Sequence, residues 1–278
     1  MVNRDSIMLE DDRSGSRWQP FMLTNGKRDL AIDPPWTNAG GTLGFSTEAG
    51  SLIDLSRLGA FISNPISLHR RQPAGGTRTV ATPGGFLLHT GLPNAGLRTI
   101  ISRHRHRWAG LPCPIILHLI SREADELTRM AEMLELVDEV AGIELGLEED
   151  DPAIVAKLVG ATAARELPVL ARLPFGARPA TAEAALEAGA AGISFGPPRG
   201  AVPGPKGIPL QGRLYGPAVF PLALEAMTAM VNAGLSAPIM GSGGVYRRSD
   251  LQAMLDAGAS GVQLDSVLWT EPELVLGG

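Results

Sequence analysis

The sequence has few cysteines, lysines and aromatic residues. Its single cysteine, Cys113, excludes an internal disulfide framework and a cluster of thiolate metal ligands. Cys113 stands just before an apolar run, so we expect a small buried hydrophobic residue there rather than a reactive thiol. Among the 24 basic residues only Lys27, Lys157 and Lys206 are lysines, which limits where lysine chemistry is available. With aromatic residues at 5%, a core must come from Ala, Val, Ile and Leu.

Long apolar runs and an excess of positive charge are also missing. The formal net charge of −5 argues against nucleic-acid binding through bulk electrostatics. No apolar stretch approaches the roughly 18 residues of a membrane span. Residues 1–28 contain several acidic side chains and no continuous apolar segment, so a secretory signal is not expected. We therefore expect a cytoplasmic protein that acts on a small molecule and has neither nucleic acid nor membrane as a partner.

Short apolar segments, often β-branched, recur along the 278 residues and predict strands. They are Trp36–Gly40, Ala60–Asn64, Ile115–Ile120, Ile143–Leu147, Val169–Leu173, Ala191–Gly196, Pro238–Gly241 and Gly261–Asp265. Segments of helical periodicity lie between them at Ala124–Val140, Ala153–Arg165, Thr181–Ala188, Pro221–Asn232 and Arg248–Ala257. Alternating strands and helices predict an α/β protein with a parallel sheet. Such units close most naturally into a (β/α)8 TIM barrel, whose site lies at the carboxyl ends of the strands.

Two parts of the chain do not fit a minimal barrel. Residues 1–28 are polar and predict an irregular N-terminal arm, so the barrel domain is expected over residues 29–278. Residues 65–98 form a long, glycine-rich insertion after the second strand, and loops of this length are usually functional or disordered. A short strand is expected within this insertion at Phe86–His89.

A glycine-rich loop follows the seventh predicted strand. In Pro238–Val245 a buried strand leads into three glycines, and a helix begins near Arg248. Backbone N–H groups at such a loop approach an anion closely, and the helix dipole adds to the attraction. Barrels commonly bind phosphate with the loops after strands seven and eight, and Asp265 and Ser266 follow the eighth strand here. The alternative is that the glycines serve only a tight turn between strand and helix.

Several segments resemble the dihydroorotate dehydrogenase family, in the family's order and with compatible spacing from about residue 29 to residue 270. They are Asn38–Phe45, Asp54–Ala60, Thr82–Gly96, Gly212–Leu224, Ala237–Val245 and Leu255–Leu264. The resemblance implies an FMN-binding barrel, with the FMN phosphate on the glycine loop and on the amides near residues 265 and 266. It assigns the cofactor to Ala39, Gly40, Asn64, Arg172, Gly216, Gly243, Gly244, Asp265 and Ser266. It also implies a homo-oligomer or a subunit of a hetero-complex.

The resemblance fails where the family performs its chemistry. After the fourth strand the family has Asn-x-Ser-Cys-Pro-Asn with its catalytic base nearby, whereas this chain has Glu144–Asp151, with Gly146 at the first asparagine. The family's lysine after the second strand is Asn64 here, and its fifth-strand lysine is Arg172. Each unpaired polar edge of a bound pyrimidine costs about 1–3 kcal/mol. We therefore expect a substrate other than dihydroorotate.

The replacement residues suggest several roles. Arg172 is expected either to neutralise the reduced flavin or to form an ion pair with Glu148 or Glu149. Within the acidic run 148–151, a carboxylate is a candidate general base or metal ligand, while Asp150 or Asp151 before Pro152 fits a helix N-cap.

Two histidines, a basic run and one aspartate each allow a functional and a structural interpretation. His89 lies where the family contacts its substrate, so it is a proton-transfer candidate or a structural loop residue, whereas His118 in an apolar strand is expected to be a satisfied core residue. The basic run Arg103–Arg107 predicts a solvated face. Asp265 disfavours a nearby anion, so it either points away from the phosphate or marks a weakened FMN site.

Three functional hypotheses follow. The first is an FMN-dependent oxidoreductase acting on a CH–CH or related donor, in which Arg172 stabilises the flavin anion and Glu148, Glu149 or His89 moves the proton. The second is a catalytically inactive barrel that serves as a subunit, scaffold or regulator. The third is a non-redox barrel enzyme that binds a phosphorylated substrate at the old phosphate site. No resident metal is expected.

Overall fold

A computed structural model describes residues 18–46, 48, 53–204 and 207–277. The strands are β1 Phe21–Thr24, β2 Asp29–Ile32, β3 Trp36–Asn38, β4 Phe61–Ile62, β5 Thr79–Thr82, β6 Gly85–Leu88, β7 Ile115–Ile120, β8 Val140–Gly146, β9 Val169–Leu173, β10 Gly192–Phe195, β11 Arg199–Val202, β12 Leu210–Tyr215, β13 Met240–Ser242 and β14 Gly261–Leu264. The helices are α1 Leu97–Trp108, α2 Ala124–Leu134, α3 Pro152–Ala163, α4 Pro179–Glu187, α5 Phe220–Asn232, α6 Arg248–Asp256, α7 Val267–Thr270 and α8 Glu273–Leu276.

The core of the fold is a curled parallel sheet. One part has the strand order β10-β9-β8-β7-β4 and the other has the order β13-β14-β3, with parallel pairing in both. Isolated parallel bridges link the two parts, from Thr37 to Ala60 and from Ile193 to Ile239. The predicted α/β class is confirmed, and the predicted strands at Ile115–Ile120 and Val169–Leu173 match β7 and β9 residue for residue.

Burial on both faces explains why these segments form strands. Every residue of β7 and of β9 is buried, as expected for parallel strands with helices on one side and the sheet interior on the other. On the outside, α2 buries Leu127, Met130 and Leu134 along one face. The sheet therefore places polar side chains in its interior only at particular inward positions, which are described below.

An antiparallel hairpin of β1 and β2 closes one end of the sheet. Leu23, Leu30 and Ile32 of this hairpin are buried in one apolar cluster with Ile116 and Leu170, which stand early in β7 and β9. The hairpin therefore covers the amino ends of the strands. Residues 1–17 of the predicted arm lie outside the described residues, and the described remainder of the arm carries β1.

The carboxyl ends carry a second, antiparallel sheet of order β11-β12-β6-β5. Strands β5 and β6 come from the insertion at 65–98, and β6 agrees with the strand expected at Phe86–His89. Strands β11 and β12 come from the connection between β10 and α5. Because both connections leave carboxyl ends of parallel strands, this small sheet forms a wall over the functional face.

The basic run Arg103–Arg107 lies on α1, a helix that the sequence analysis did not predict. Arg105 is exposed and its Nε lies 2.8 Å from Glu139, in agreement with a solvated face. In the described part of the chain, no helix has both the length and the apolar character that a membrane crossing requires.

Candidate functional site

A cavity of about 570 Å³ opens at the carboxyl ends of the strands. Gly40, Ile120 and Gly146, at or just after the ends of β3, β7 and β8, form its floor. Leu88 and Tyr215 of the small antiparallel sheet form part of its wall. Its volume falls in the range of roughly 300–1,000 Å³ that is typical of small-molecule sites. The cavity is therefore the first candidate for a ligand site.

Charged side chains at the cavity are mostly arginines. Four arginines and two glutamates line it: Arg71, Arg122, Arg199, Arg213, Glu148 and Glu149. Glu148 accepts from Arg199 Nη1 at 2.7 Å through one oxygen and from Arg213 Nη2 through the other. Arg122 Nη2 lies 3.8 Å from Glu149. Among the described residues the lining thus keeps an excess of positive charge, which favours an anionic ligand.

The predicted acid–base candidates lie at this cavity but differ in exposure and in hydrogen bonding. His89 is exposed and lines the cavity. Glu148 has both carboxylate oxygens engaged by arginines. Their catalytic roles remain predictions.

The capping interpretation of the acidic run is confirmed. Asp151 accepts hydrogen bonds from the backbone N–H groups of Ala153 (2.9 Å) and Ile154 (3.1 Å), and Pro152 occupies the first helical turn of α3. Asp150 instead binds Arg178 and Thr181. Within the described residues, no group of three His, Cys, Asp or Glu side chains is arranged to hold a metal ion.

Beneath the cavity floor lies a buried carboxylate, Glu144 of β8, with 0% exposure. Its Oε1 accepts hydrogen bonds from Gln263 Nε2 at 2.6 Å and from Ser194 Oγ at 3.3 Å. Its Oε2 is hydrogen bonded to Nδ1 of His118. Burial alone would raise the pKa of Glu144, but its neighbours His118, Arg172 and Gln263 lower it to about 2. Glu144 is therefore ionised at neutral pH.

Two glycines make room for this pair. A Cβ on Gly40 would lie 2.5 Å from Glu144 Oε2 and 2.6 Å from His118 Nδ1. A Cβ on Gly146 would lie 2.8 Å from His118 Nε2. The glycine that replaces the family's first asparagine thus gives space to the imidazole of His118. The predicted buried position of His118 is confirmed, since the residue is 2% exposed.

Arg172 turns inward rather than toward the cavity. Its Nη1 donates to the Gly40 carbonyl at 3.0 Å and lies 3.8 Å from Glu144 Oε2. The expected ion pair of Arg172 with Glu148 or Glu149 is wrong, because those glutamates pair with arginines of the cavity rim while Glu144 lies closer along the sheet interior. Arg172 Nε is buried without a hydrogen-bond partner among the described residues.

The predicted phosphate loop has the expected backbone form. Gly243 has a φ of 112° and Gly244 a φ of 69°, both in the region that favours glycine. Asp265, 3% exposed, directs its carboxylate into this loop. Oδ2 lies 3.4 Å from the Gly244 nitrogen, and Oδ1 accepts from the Ser266 nitrogen at 2.5 Å and from Ser266 Oγ at 3.0 Å. The side chain thus accepts from two of the N–H groups that the resemblance assigns to phosphate, those of Gly244 and Ser266.

An aromatic cluster includes one ring of the cavity wall. Phe86, Tyr215 and Trp269 contact one another, with ring centroids 5.6–5.9 Å apart. Trp269 Nε1 donates to the Thr42 carbonyl at 2.6 Å, which fixes its ring. Tyr215 lines the cavity and directly precedes Gly216. Gly216 in turn lies against the glycine loop, since its carbonyl oxygen would be 3.0 Å from a Cβ on Gly244. The ring of Tyr215 thus stands at the cavity while its neighbour in sequence contacts the loop.

The residues assigned to the cofactor do not form one open site. Gly40 and Asn64 line the cavity. Arg172 lies beneath its floor, and Ala39 is buried with its N–H bonded to the Leu264 carbonyl. The remaining assigned residues, Gly216, Gly243, Gly244, Asp265 and Ser266, are not among the described residues that line the cavity.

Sequence reasoning did not assign a role to Glu144 or to its contact with His118. The available signal was alternation: positions 144 and 146 of β8, and positions 118 and 120 of β7, point to the same side of the sheet. The parallel register then pairs His118 with Glu144. A polar residue inside each of two neighbouring apolar strands marks such a contact.

The fold and site define an α/β protein with a ligand cavity at the carboxyl ends of parallel strands. No known family profile matches the chain. The catalytic subunit of dihydroorotate dehydrogenase B (NAD(+)) from Geotalea daltonii is 30% identical over 277 residues, covering 88% of this chain and 89% of the relative. The subunits of the same name from Pelobacter propionicus (28%, 91% and 90%) and Desulforamulus reducens (30%, 86% and 84%) are also similar. The chain belongs to the dihydroorotate dehydrogenase family.

The residues present do not fit the FMN that the resemblance implies. The phosphate loop already holds a carboxylate, which repels a phosphate dianion. Gly216, which follows Tyr215 of the aromatic cluster, also packs closely against Gly244 of this loop. Burial raises the pKa of Asp265, which means that the loop already disfavours a single negative charge. A phosphate dianion would add two more.

Proposed function

We propose that this chain is a member of the dihydroorotate dehydrogenase family that works without FMN and binds a small anion in its arginine-lined cavity. The proposal depends on one observation: the Asp265 carboxylate lies against the Gly244 and Ser266 N–H groups. A protein that kept the family's cofactor would have those donors free for phosphate. The aromatic cluster of Phe86, Tyr215 and Trp269, which presents Tyr215 to the cavity, supports the same conclusion.

In its ionised form the Asp265 carboxylate is an effective electrostatic block to phosphate. At an effective dielectric constant of about 20, two unit charges about 4 Å apart repel each other by about 4 kcal/mol. Each 1.4 kcal/mol is about tenfold in affinity, so one such contact weakens phosphate binding by roughly a thousandfold. The same repulsion argues against a phosphorylated substrate in the glycine loop. The anion is therefore assigned to the cavity, where arginines outnumber glutamates.

The ligand class follows from the cavity's donors. Guanidinium groups bind carboxylates through paired N–H donors, and Arg71 is exposed at the cavity. Arg199 and Arg213 are already held by Glu148, which orients their guanidinium groups at the wall. A small mono- or dicarboxylate suits the volume and the charge of the site.

The fold proposal is a closed (β/α)8 barrel over residues 29–278, preceded by an arm. The parallel bridges Thr37–Ala60 and Ile193–Ile239 support closure, because they connect both ends of the two parallel sheets. The insertion at 65–98 supports it further by placing β5 and β6 at the carboxyl face, where barrels have their sites.

The visible absorption spectrum of the purified protein tests this function. We expect a colourless protein that stays colourless after incubation with FMN and gel filtration. An FMN-dependent oxidoreductase is the competing outcome: it would be yellow or become so, and dihydroorotate or a related donor would bleach it under anaerobic conditions. A yellow protein overturns the proposal.

A further inference from the structure

We infer that His118 and Glu144 form an acid–base pair that removes a proton from a carboxylate ligand in the cavity, with His118 Nε2 as the proton acceptor. This inference rests on the proposed function, because it takes the cavity and not a flavin as the place of chemistry. The pair lies directly beneath the cavity floor, and nothing in the phosphate loop takes part in it.

The hydrogen-bond pattern fixes which imidazole nitrogen is free. Glu144 is ionised and can only accept hydrogen bonds. His118 Nδ1 must therefore carry the hydrogen and donate it to Glu144 Oε2. The other nitrogen, Nε2, then holds the lone pair in the neutral ring. A carboxylate behind one nitrogen of a histidine holds the tautomer and stabilises the imidazolium that forms when Nε2 takes a proton.

Gly146 is the residue between His118 Nε2 and the cavity. A Cβ on Gly146 would stand 2.8 Å from Nε2 and 3.0 Å from Cε1, and Gly146 itself lines the cavity. The missing side chain leaves Nε2 close to the cavity floor without a methyl group between them. Any larger residue at position 146 would cover the nitrogen.

The surrounding charges favour a neutral His118 at rest. Burial lowers the pKa of His118, Glu144 raises it, and Arg172 and Arg213 lower it again. Arg172 reaches the pair from β9 and Arg213 belongs to the antiparallel wall, while Gln263 of β14 and Ser194 of β10 contribute only neutral groups. His118 is therefore in its proton-accepting form near pH 7.

The chemistry that needs only a base and a cation is proton removal next to a carbonyl group. Nε2 takes the proton as the C–H bond breaks. The C–H electron pair forms the new C=C bond and the carbonyl π pair moves to oxygen, which gives an enolate. The imidazolium pairs with Glu144, and a cavity arginine such as Arg213 balances the enolate oxygen. Return of the proton from Nε2 to carbon completes the cycle without an oxidant or another reactant. The substrate class is a small 2-oxo carboxylate.

Exchange of C–H for C–D in deuterated buffer tests this, with pyruvate, 2-oxobutyrate and 2-oxoglutarate as probes and ¹H NMR as the readout. We expect wild-type protein to accelerate exchange in at least one probe, and His118→Gln to lower the rate about 100-fold or more. Gly146→Ala is expected to lower it too, by covering Nε2. His106→Gln, on the exposed face of α1, is the matched histidine control and should keep the wild-type rate.

Glu144 is a positioning residue, and its test is the pH profile. Glu144→Gln removes the charge that raises the pKa of His118, so the acid limb of the exchange profile should move to lower pH. If the variants fold poorly, ¹⁵N NMR of the wild-type imidazole still decides the point: Nδ1 should be protonated and Nε2 should not. An Nε2–H tautomer, no exchange with any probe, or exchange that survives His118→Gln overturns the inference. The flavin spectrum is a separate readout, so a colourless protein without exchange overturns only this pair.

Discussion

Oδ2 of Asp265 lies 3.4 Å from the backbone nitrogen of Gly244, inside a loop shaped to receive an anion. The family resemblance gives this loop to the phosphate of FMN. In this chain the Asp265 side chain takes the place of an external anion, and the backbone N–H and the hydroxyl of Ser266 donate to its carboxylate. This contact supports the proposal that the loop glycines serve the internal turn and that the ligand binds in the cavity lined by Tyr215.

The charge of Asp265 makes the stability of the protein depend on pH. Burial raises the pKa of Asp265 above its usual value of 3.8, so between pH 3.8 and the raised value the folded state holds more protons than the unfolded chain. Stability therefore falls as pH rises through that interval. Asp265→Asn lacks this titration, so its stability relative to wild type should increase from pH 4 to pH 7 in urea unfolding. An unchanged difference would contradict a buried, ionised carboxylate in the loop.

Removing the charge of Glu144 should destabilise the protein strongly. Glu144→Gln leaves Arg172 without its buried counterion, and breaking a buried pair from one side costs about 3–5 kcal/mol. The matched control is Glu139→Gln, which removes the partner of the exposed Arg105 and should cost far less because solvent reaches that pair. Urea unfolding at pH 7 measures both. Equal losses would show that Glu144 does not compensate Arg172.

The cavity arginines should control anion affinity. Glu148→Gln releases Arg199 and Arg213, and we expect 2-oxoglutarate to bind about tenfold more tightly, corresponding to about 1.4 kcal/mol. Arg213→Gln should weaken binding by a similar factor. Isothermal titration calorimetry measures both, and added salt should weaken binding in the wild type. Affinity that neither variant changes would place the anion elsewhere.

The N-cap of α3 offers a local test of the acidic run. Asp151→Ala removes the acceptor for the Ala153 and Ile154 N–H groups and should cost about 1 kcal/mol of unfolding free energy. Asp151→Asn keeps an acceptor oxygen and should remain close to wild type. Thermal unfolding followed by circular dichroism compares the two. A loss as large for Asn as for Ala would show that the charge, and not the cap, matters.

Much of the fold could be predicted because buried parallel strands carry a strong local signal. Segments such as Ile115–Ile120 are apolar throughout and stand between turn residues, so pattern alone locates them. The strands of the β1–β2 hairpin were not predicted, because each has only four residues that alternate between buried and more exposed positions. Strands β11 and β12 were not predicted because glycine and arginine interrupt their apolar pattern. Helix α1 was not predicted because its basic half shows little apolar periodicity.

The candidate site was less predictable because its key contacts join distant residues. The sequence showed that Asp265 stands beside the phosphate loop, but its direction depends on donors from residue 244, 21 positions away. Glu144 and His118 meet across two strands, and two glycines, Gly40 and Gly146, make their space. Such a cluster becomes visible only when strand register is known.

The most direct test of the central claim is a titration of the purified protein with FMN, followed by quenching of flavin fluorescence. The account predicts no saturable quenching by the wild type, and saturable quenching by Asp265→Gly, in which the Gly244 and Ser266 N–H groups are free for phosphate. Asp256→Gly, on the outer helix α6, serves as the charge-matched control and should behave as wild type. Saturable FMN binding by the wild-type protein would contradict the account.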